Sequence, residues 1–150
     1  MKRSLLFLLV AITACSSGHR TKEVDADEAA RLLVDRNWID VMPKDPQDRL
    51  HVFRFVPSMG GGVYQDRTLY RGEFELFRFK ADKRELAFDF PDRSERYRTT
   101  YKIERVDGPR PFDLKLTLDR SPRGPSVYYG MRQDRGDLDA MLGATVTPPQ

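Results

Sequence analysis

The sequence predicts a mainly β domain, a single antiparallel meander that closes into a small barrel behind a short N-terminal helix. Three observations carry this. From Leu50 onward apolar residues recur at every second position, the spacing of a strand with one face on a core and the other in water. Clusters of Pro, Gly, Asp and Ser interrupt that pattern at short intervals, the cadence of hairpins rather than of crossovers. About eight such segments follow one another, enough to close a barrel and remove its exposed edges. A two-layer sandwich is the alternative arrangement of the same strands.

The helix comes first, from Val24 to Val34. Asp25 is placed to accept from an amide two or three residues on, and Glu28 stands at the capping-box position. Ala29, Leu32 and Leu33 give it one apolar face, and Arg36-Asn37 ends it. Strands are then expected at about 38–42, 49–56, 62–69, 72–80, 84–90, 96–106, 111–119 and 125–132. Three of them alternate cleanly: Leu86, Phe88 and Phe90; Tyr97, Thr99, Tyr101 and Ile103; and Phe112, Leu114, Leu116 and Leu118. Turns fall at Pro57 to Gly62, Pro91 to Ser94 and Ser121 to Pro125. The barrel domain is assigned to 24–136, and 137–150 to a short helical turn and a frayed C-terminal tail.

Composition narrows the function. Of the 150 residues, 26 are Lys or Arg and 23 are Asp or Glu, and the two signs are interleaved along the strands. Such a surface is solvated rather than shaped for nucleic acid, which asks for clustered, unbalanced positive charge. The one cysteine, Cys15, lies before the domain. Disulfides, thiol catalysis and Cys-ligated zinc are therefore excluded inside it. Nine Phe, six Tyr and one Trp must supply the core.

The first residues have another character. Lys2 and Arg3 precede the apolar run Leu5 to Ile12, which is too short to span a bilayer at roughly 20 residues. Ile12-Thr13-Ala14-Cys15 resembles the lipobox of bacterial lipoproteins. The resemblance implies a signal peptide over 1–14, lipidation of Cys15 and a flexible tether over 15–23. Ser16, where the family often carries an inner-membrane Asp, implies the bacterial outer membrane, with the domain periplasmic or surface-exposed. Two or more acyl chains give stable anchoring, at ~0.8 kcal/mol per buried methylene. Without Lys2 and Arg3 the side-chain balance falls from +3 to +1.

In outline, residues 26 to 135 resemble the lipocalin and calycin group of up-and-down barrels. The residues that carry the resemblance are an early Trp38 after a short helix and Arg132 just past the last strand. It implies that Trp38 packs across the barrel floor under Arg132, and that the interior is a cup for an apolar or amphipathic ligand. Where the family has Gly two residues before the Trp, this chain has Arg36. The short strands and many Phe residues point instead to a filled interior, with Trp38 as an ordinary core residue.

Few residues suit chemistry. His51 is the one histidine of the predicted domain, which removes multi-histidine metal sites. Gly60-Gly61-Gly62 reads either as an amide nest for an anion or as a wide hairpin loop needing positive φ, with Tyr64, Asp66 and Arg67 at its mouth. The Pro122-Arg123-Gly124-Pro125 turn reads as a rigid connection that projects Arg123 beside Tyr128 and Tyr129. Glu73 and Glu75 share one strand face, opposite Phe74 and Leu76, and read as a solvent-facing stripe. Tyr64, Arg67, Arg123 and Tyr128 are thus the candidate ligand-binding residues, and no catalytic or metal-binding residue is assigned. The expectation is a non-enzymatic, membrane-anchored lipoprotein that binds a small amphipathic ligand or an envelope protein, with no cofactor beyond the lipid on Cys15. The alternatives are a structural envelope component with a filled barrel and a hydrolase built on carboxylates or His51.

Overall fold

The computed structural model describes residues 21–108 and 111–131. In chain order they form β1 (Lys22–Glu23), α1 (Ala26–Leu33), β2 (Asn37–Ile39), β3 (Leu50–Val56), β4 (Gly61–Arg67), β5 (Gly72–Asp82), β6 (Glu85–Phe90), β7 (Glu95–Arg105), β8 (Phe112–Leu118) and β9 (Val127–Met131). Strands β2 to β9 make a closed antiparallel barrel of eight strands. Each pairs with the next, and the ring shuts where Trp38 and Ile39 of β2 meet Gly130 and Tyr129 of β9. The mainly β barrel read from the sequence is the architecture found, and its form is consistent with a lipocalin-like barrel.

Two long strands change partners midway. The first half of β5, Gly72 to Phe77, pairs with β4, and the second half, Arg78 to Asp82, pairs with β6. Strand β7 does the same, giving Glu95 to Thr100 to β6 and Tyr101 to Arg105 to β8. Where β7 outruns β6 its free edge is taken by β1, with Lys22 opposite Arg105 and Glu23 opposite Glu104. Lys22 and Glu23, assigned to the tether on sequence, are thus the first residues of the sheet.

Helix α1 closes one end. Asp25 caps it by accepting from the Glu28 amide at 2.8 Å, while the Glu28 side chain reaches Arg105 of β7. Ala29 and Leu33 are buried beneath it. Trp38 is fully buried and donates its indole N–H to the Leu33 carbonyl at 2.8 Å, which locks helix to barrel. The cation over its ring, at 5.7 Å, is Arg36. Burial lowers the pKa of that guanidinium, and Asp113, at 3.6 Å, opposes the shift. Arg132, Cys15 and the 137–150 segment lie outside the described residues. A Cβ on Gly130 would stand 2.9 Å from the Trp38 ring, so the last strand needs glycine there.

The interior is packed with side chains. Phe53 touches Tyr64, Tyr128, Phe77 and Phe88 at centroid distances of 4.9 to 5.8 Å. Phe77 continues to Phe90 at 5.7 Å. Contacts of this kind add about 0.5–1.5 kcal/mol each beyond area burial. Leu86, Ile103, Leu114, Leu116 and Leu118 are buried with them. The alternations hold for Leu86, Phe88 and Phe90 in β6, for Thr99, Tyr101 and Ile103 in β7 and for Leu114, Leu116 and Leu118 in β8, whereas a register shift between Phe112 and Leu114 sets Phe112 against Tyr129, and Tyr97 is exposed.

Strand β5 corrects the sequence reading. Phe74 and Leu76 face water, 66% and 62% exposed, while Glu73 and Glu75 share the inward phase with Phe77 and Phe79. A strand offers only two phases, and a shift of one residue exchanges them all. Phe77 decides, because its ring packs across Gly62, where a Cβ would fall 2.5 Å from it. Of the three glycines only Gly60 has positive φ, +75°, where it closes the turn Pro57–Met59.

Candidate functional site

The end opposite α1 gathers the β2–β3, β4–β5, β6–β7 and β8–β9 connections. Its central piece is the β8–β9 loop, which folds inward over the barrel mouth. Gly124, at φ +62°, lets it do so: a Cβ there would stand 2.8 Å from the hydroxyls of both Tyr64 and Tyr128. Arg123 follows this path into the rim, and its side chain is only 16% exposed.

Nearly every donor of that guanidinium is used. Its Nε and Nη2 donate to the two Glu75 oxygens at 2.6 and 3.0 Å, a bidentate pair. Nη2 also donates to Glu95 at 2.7 Å, and Nη1 to the Pro122 carbonyl at 2.7 Å. The plane lies 4.3 Å from the Phe90 ring centroid. Arg93 adds a second cation to Glu75 at 3.0 Å, and the Tyr97 hydroxyl donates to Glu95 at 2.9 Å. The Glu75 bond, with that of Glu95 behind it, raises the Arg123 pKa beyond its ordinary value. Hydrogen bonds from Arg123 and then Tyr97 hold Glu95 below the usual carboxylate range.

A second cluster lies alongside. His51 Nδ1 and the Tyr64 hydroxyl are 2.7 Å apart, and the His51 amide donates to Asp40 at 2.8 Å. Asp66 takes both Arg49 donors at 2.6 Å, and that bond lowers its pKa. Burial, with Asp66 nearby, pushes the Tyr64 phenol up to about 12. Tyr128 is fully buried and donates to the Arg123 carbonyl at 3.0 Å, and burial raises its phenol as well. Between the clusters lies an open cleft of ≈ 500 Å³, lined among others by His51, Tyr64, Glu73, Glu75, Arg93 and Arg123.

The structure therefore brings together three of the four candidate ligand residues, Tyr64, Arg123 and Tyr128. Arg67 stands apart, because odd positions of β4 beyond Gly61 face outward, away from Tyr64 and Asp66. The residue missed was Glu75, together with Glu95. The only hint was that Phe77 and Phe79 share the phase of Glu75, and Phe74 and Leu76 argue the other way. Chemically Arg123 is a saturated seal, its donors spent on Glu75, Glu95 and the Pro122 carbonyl with little left for a ligand, while Glu73 and Asp92 line the same cleft with no ion-pair partner among the described residues. Among the described residues no group of three or more His, Cys, Asp or Glu is placed to hold a metal ion. No known protein family, curated protein or solved structure matches the chain.

Proposed function

We propose that this chain is a lipid-anchored lipoprotein of the bacterial outer membrane whose barrel is a filled, non-enzymatic module acting through its exterior. The observation that carries the reading is the double closure of the barrel. Aromatic rings occupy the interior, and the Arg123 loop stoppers the mouth with its charge saturated. Helix α1 and buried Trp38 support a lipocalin-like architecture, but an internal cup would require that loop to leave. The lipobox Ile12-Thr13-Ala14-Cys15 supports the anchor.

Two measurements test this. Tryptic digestion of native material should yield the peptide from Cys15 to Arg20 bearing a diacylglyceryl mass, and Cys15→Ser should abolish retention in membranes washed with high salt and alkaline carbonate. An unmodified thiol overturns the anchor. A fluorescent fatty acid should show no saturable binding and leave Trp38 emission unchanged. Stoichiometric binding overturns the filled-barrel reading.

The rim cleft supports a second reading, a small polar ligand held by Tyr64 and His51 outside the seal. Hydrolysis has weaker support, since two arginines already engage Glu75.

A further inference from the structure

The outer surface of the barrel is divided by charge. Strand positions that face outward on β3, β4 and β5 carry a single carboxylate, Asp82 at the end of β5, in a chain with 23 acidic residues. They carry cations instead. Arg54, Arg67 and Lys80 lie on this face, and none has an ion-pair partner among the described residues. Arg78, beside them, is tied to Asp89 at 2.9 Å. The outer face of β6 and β7 differs, since Glu85 and Asp89 there meet Arg98 and Arg96.

Apolar side chains project from the middle of the cationic face. Phe74 and Leu76 are 66% and 62% exposed, and Leu69 and Tyr70, at the tip of the same hairpin, are 65% and 71% exposed. Cross-strand register fixes their surroundings. Phe74 continues the row Ile39, Val52, Gln65, and Leu76 continues the row Asn37, Arg54, Val63. The first row extends through Ile39 to Tyr129. Thr21, where the described chain begins, lines a cleft beside those two residues in which Val41, Met42 and Phe112 are joined by Asp40 and Asp107 and by Lys44 and Lys115. The band thus runs from the foot of the N-terminal segment to Phe74.

We propose that this face lies on an anionic phospholipid surface, with Phe74 and Leu76 entering the acyl boundary and Arg54, Arg67 and Lys80 meeting headgroup phosphates. The charge pattern favours this occupant. Protruding apolar groups ringed by unpaired cations match an interface of buried chains and surface phosphate. A second copy docked face to face would bring unpaired cations against one another. The proposal takes the location at a membrane from the anchored reading above, but its affinity comes from the face alone.

The test uses the mature chain from residue 15 carrying Cys15→Ser, which keeps every described residue. It is sedimented with vesicles of mixed phosphatidylglycerol and phosphatidylcholine, and with pure phosphatidylcholine. Binding is expected to the anionic vesicles and to weaken as salt rises. Lys80→Gln should reduce partitioning about fivefold and the double variant Phe74→Ser, Leu76→Ser at least about tenfold. Arg120→Gln, just past β8 and four strands from β4 around the barrel, should leave it unchanged. Because the altered side chains are exposed, Trp38 emission should report an intact fold in each variant. No sedimentation with anionic vesicles, or equal sedimentation of the double variant, overturns the proposal. A concentration-dependent dimer abolished by the double variant would assign the face to a second copy and also overturn it. The anchored reading fails separately, by an unmodified Cys15 in native material.

Discussion

The two ends of the barrel are closed by opposite means. The floor is sealed by apolar packing among residues close in sequence: α1 lies directly before β2, and the Trp38 indole bonds to a carbonyl five residues away. The mouth is sealed by charge, through an arginine that reaches a carboxylate 48 residues distant. Apolar closure tolerates imprecision, because contact area accumulates over many atoms. Ionic closure does not. A half-buried guanidinium stabilises only when its partners are in place, and each partner left alone is a cost. The floor should therefore set global stability, whereas the mouth should set local opening.

The largest effect is expected at the floor. Trp38→Ala should cost ~3–5 kcal/mol, since it empties a fully buried volume and strands the Leu33 carbonyl. Denaturant unfolding checks this, and a loss under about 1 kcal/mol would make the helix a passive cover. At the mouth, Arg123→Ala should cost about 2–3 kcal/mol by leaving Glu75 inward with Arg93 as its remaining cation. The two variants should also differ in kind. Hydrogen exchange should accelerate around the β8–β9 loop in the Arg123 variant and across the barrel in the Trp38 variant. Similar global exchange in both would dissolve the contrast between the ends.

The same contrast governs what could be read from the sequence. The floor was legible because its signals are local: Asp25 at the cap position, Ala29, Leu32 and Leu33 at helical spacing, and one tryptophan soon after. The strands with a single apolar phase, β6 and β8, were legible for the same reason. Strand β5 was not. Its apolar residues occupy both phases, Phe74 and Leu76 on one and Phe77 and Phe79 on the other, so the local pattern cannot choose. The choice is made by Gly62 across the sheet and by Arg123, three strand connections further along the chain. The turn at Arg123 stood out through its prolines and glycine, but its partner did not, because a carboxylate between apolar residues usually marks the wet face of a strand. Arg67 was grouped with Tyr64 by nearness along the chain, and three residues along a strand is an odd step, which puts them on opposite faces.

Titration should separate the two phases of mouth chemistry. At the acid side, Glu95 and Asp66 are held below their unfolded values by Arg123 and Arg49 respectively. Their contributions are present above the unfolded carboxylate range and are lost as pH falls through the lowered values. At the alkaline side the sign reverses. The Tyr64 phenol, raised from 10.0 to about 12, keeps its proton in the fold where the unfolded chain has lost it. Stability should therefore fall as pH climbs from about 10 to about 12. Tyr64→Phe should cost about 1 kcal/mol at neutral pH, through the lost bond to His51, and should flatten that alkaline decline. An unaltered slope between pH 10 and 12 would assign the decline to other buried phenols such as Tyr101 and Tyr128.

The smallest effect on stability belongs to the outer face. Leu76→Ser should change unfolding free energy by no more than about 0.5 kcal/mol, because the side chain is already 62% in water. The value of the comparison lies in Glu75, one residue earlier. Glu75→Gln keeps the shape but halves the charge answering Arg123, and should destabilise clearly more than Leu76→Ser. On a strand read by the usual rule the ranking would be reversed, with the leucine costly and the glutamate silent. Chemical denaturation of the two variants side by side therefore tests the phase of β5 directly. If the leucine variant proved the more damaging, Phe74 and Leu76 would belong to the core, and the seal at the mouth would lose Glu75 and keep only Glu95 for Arg123.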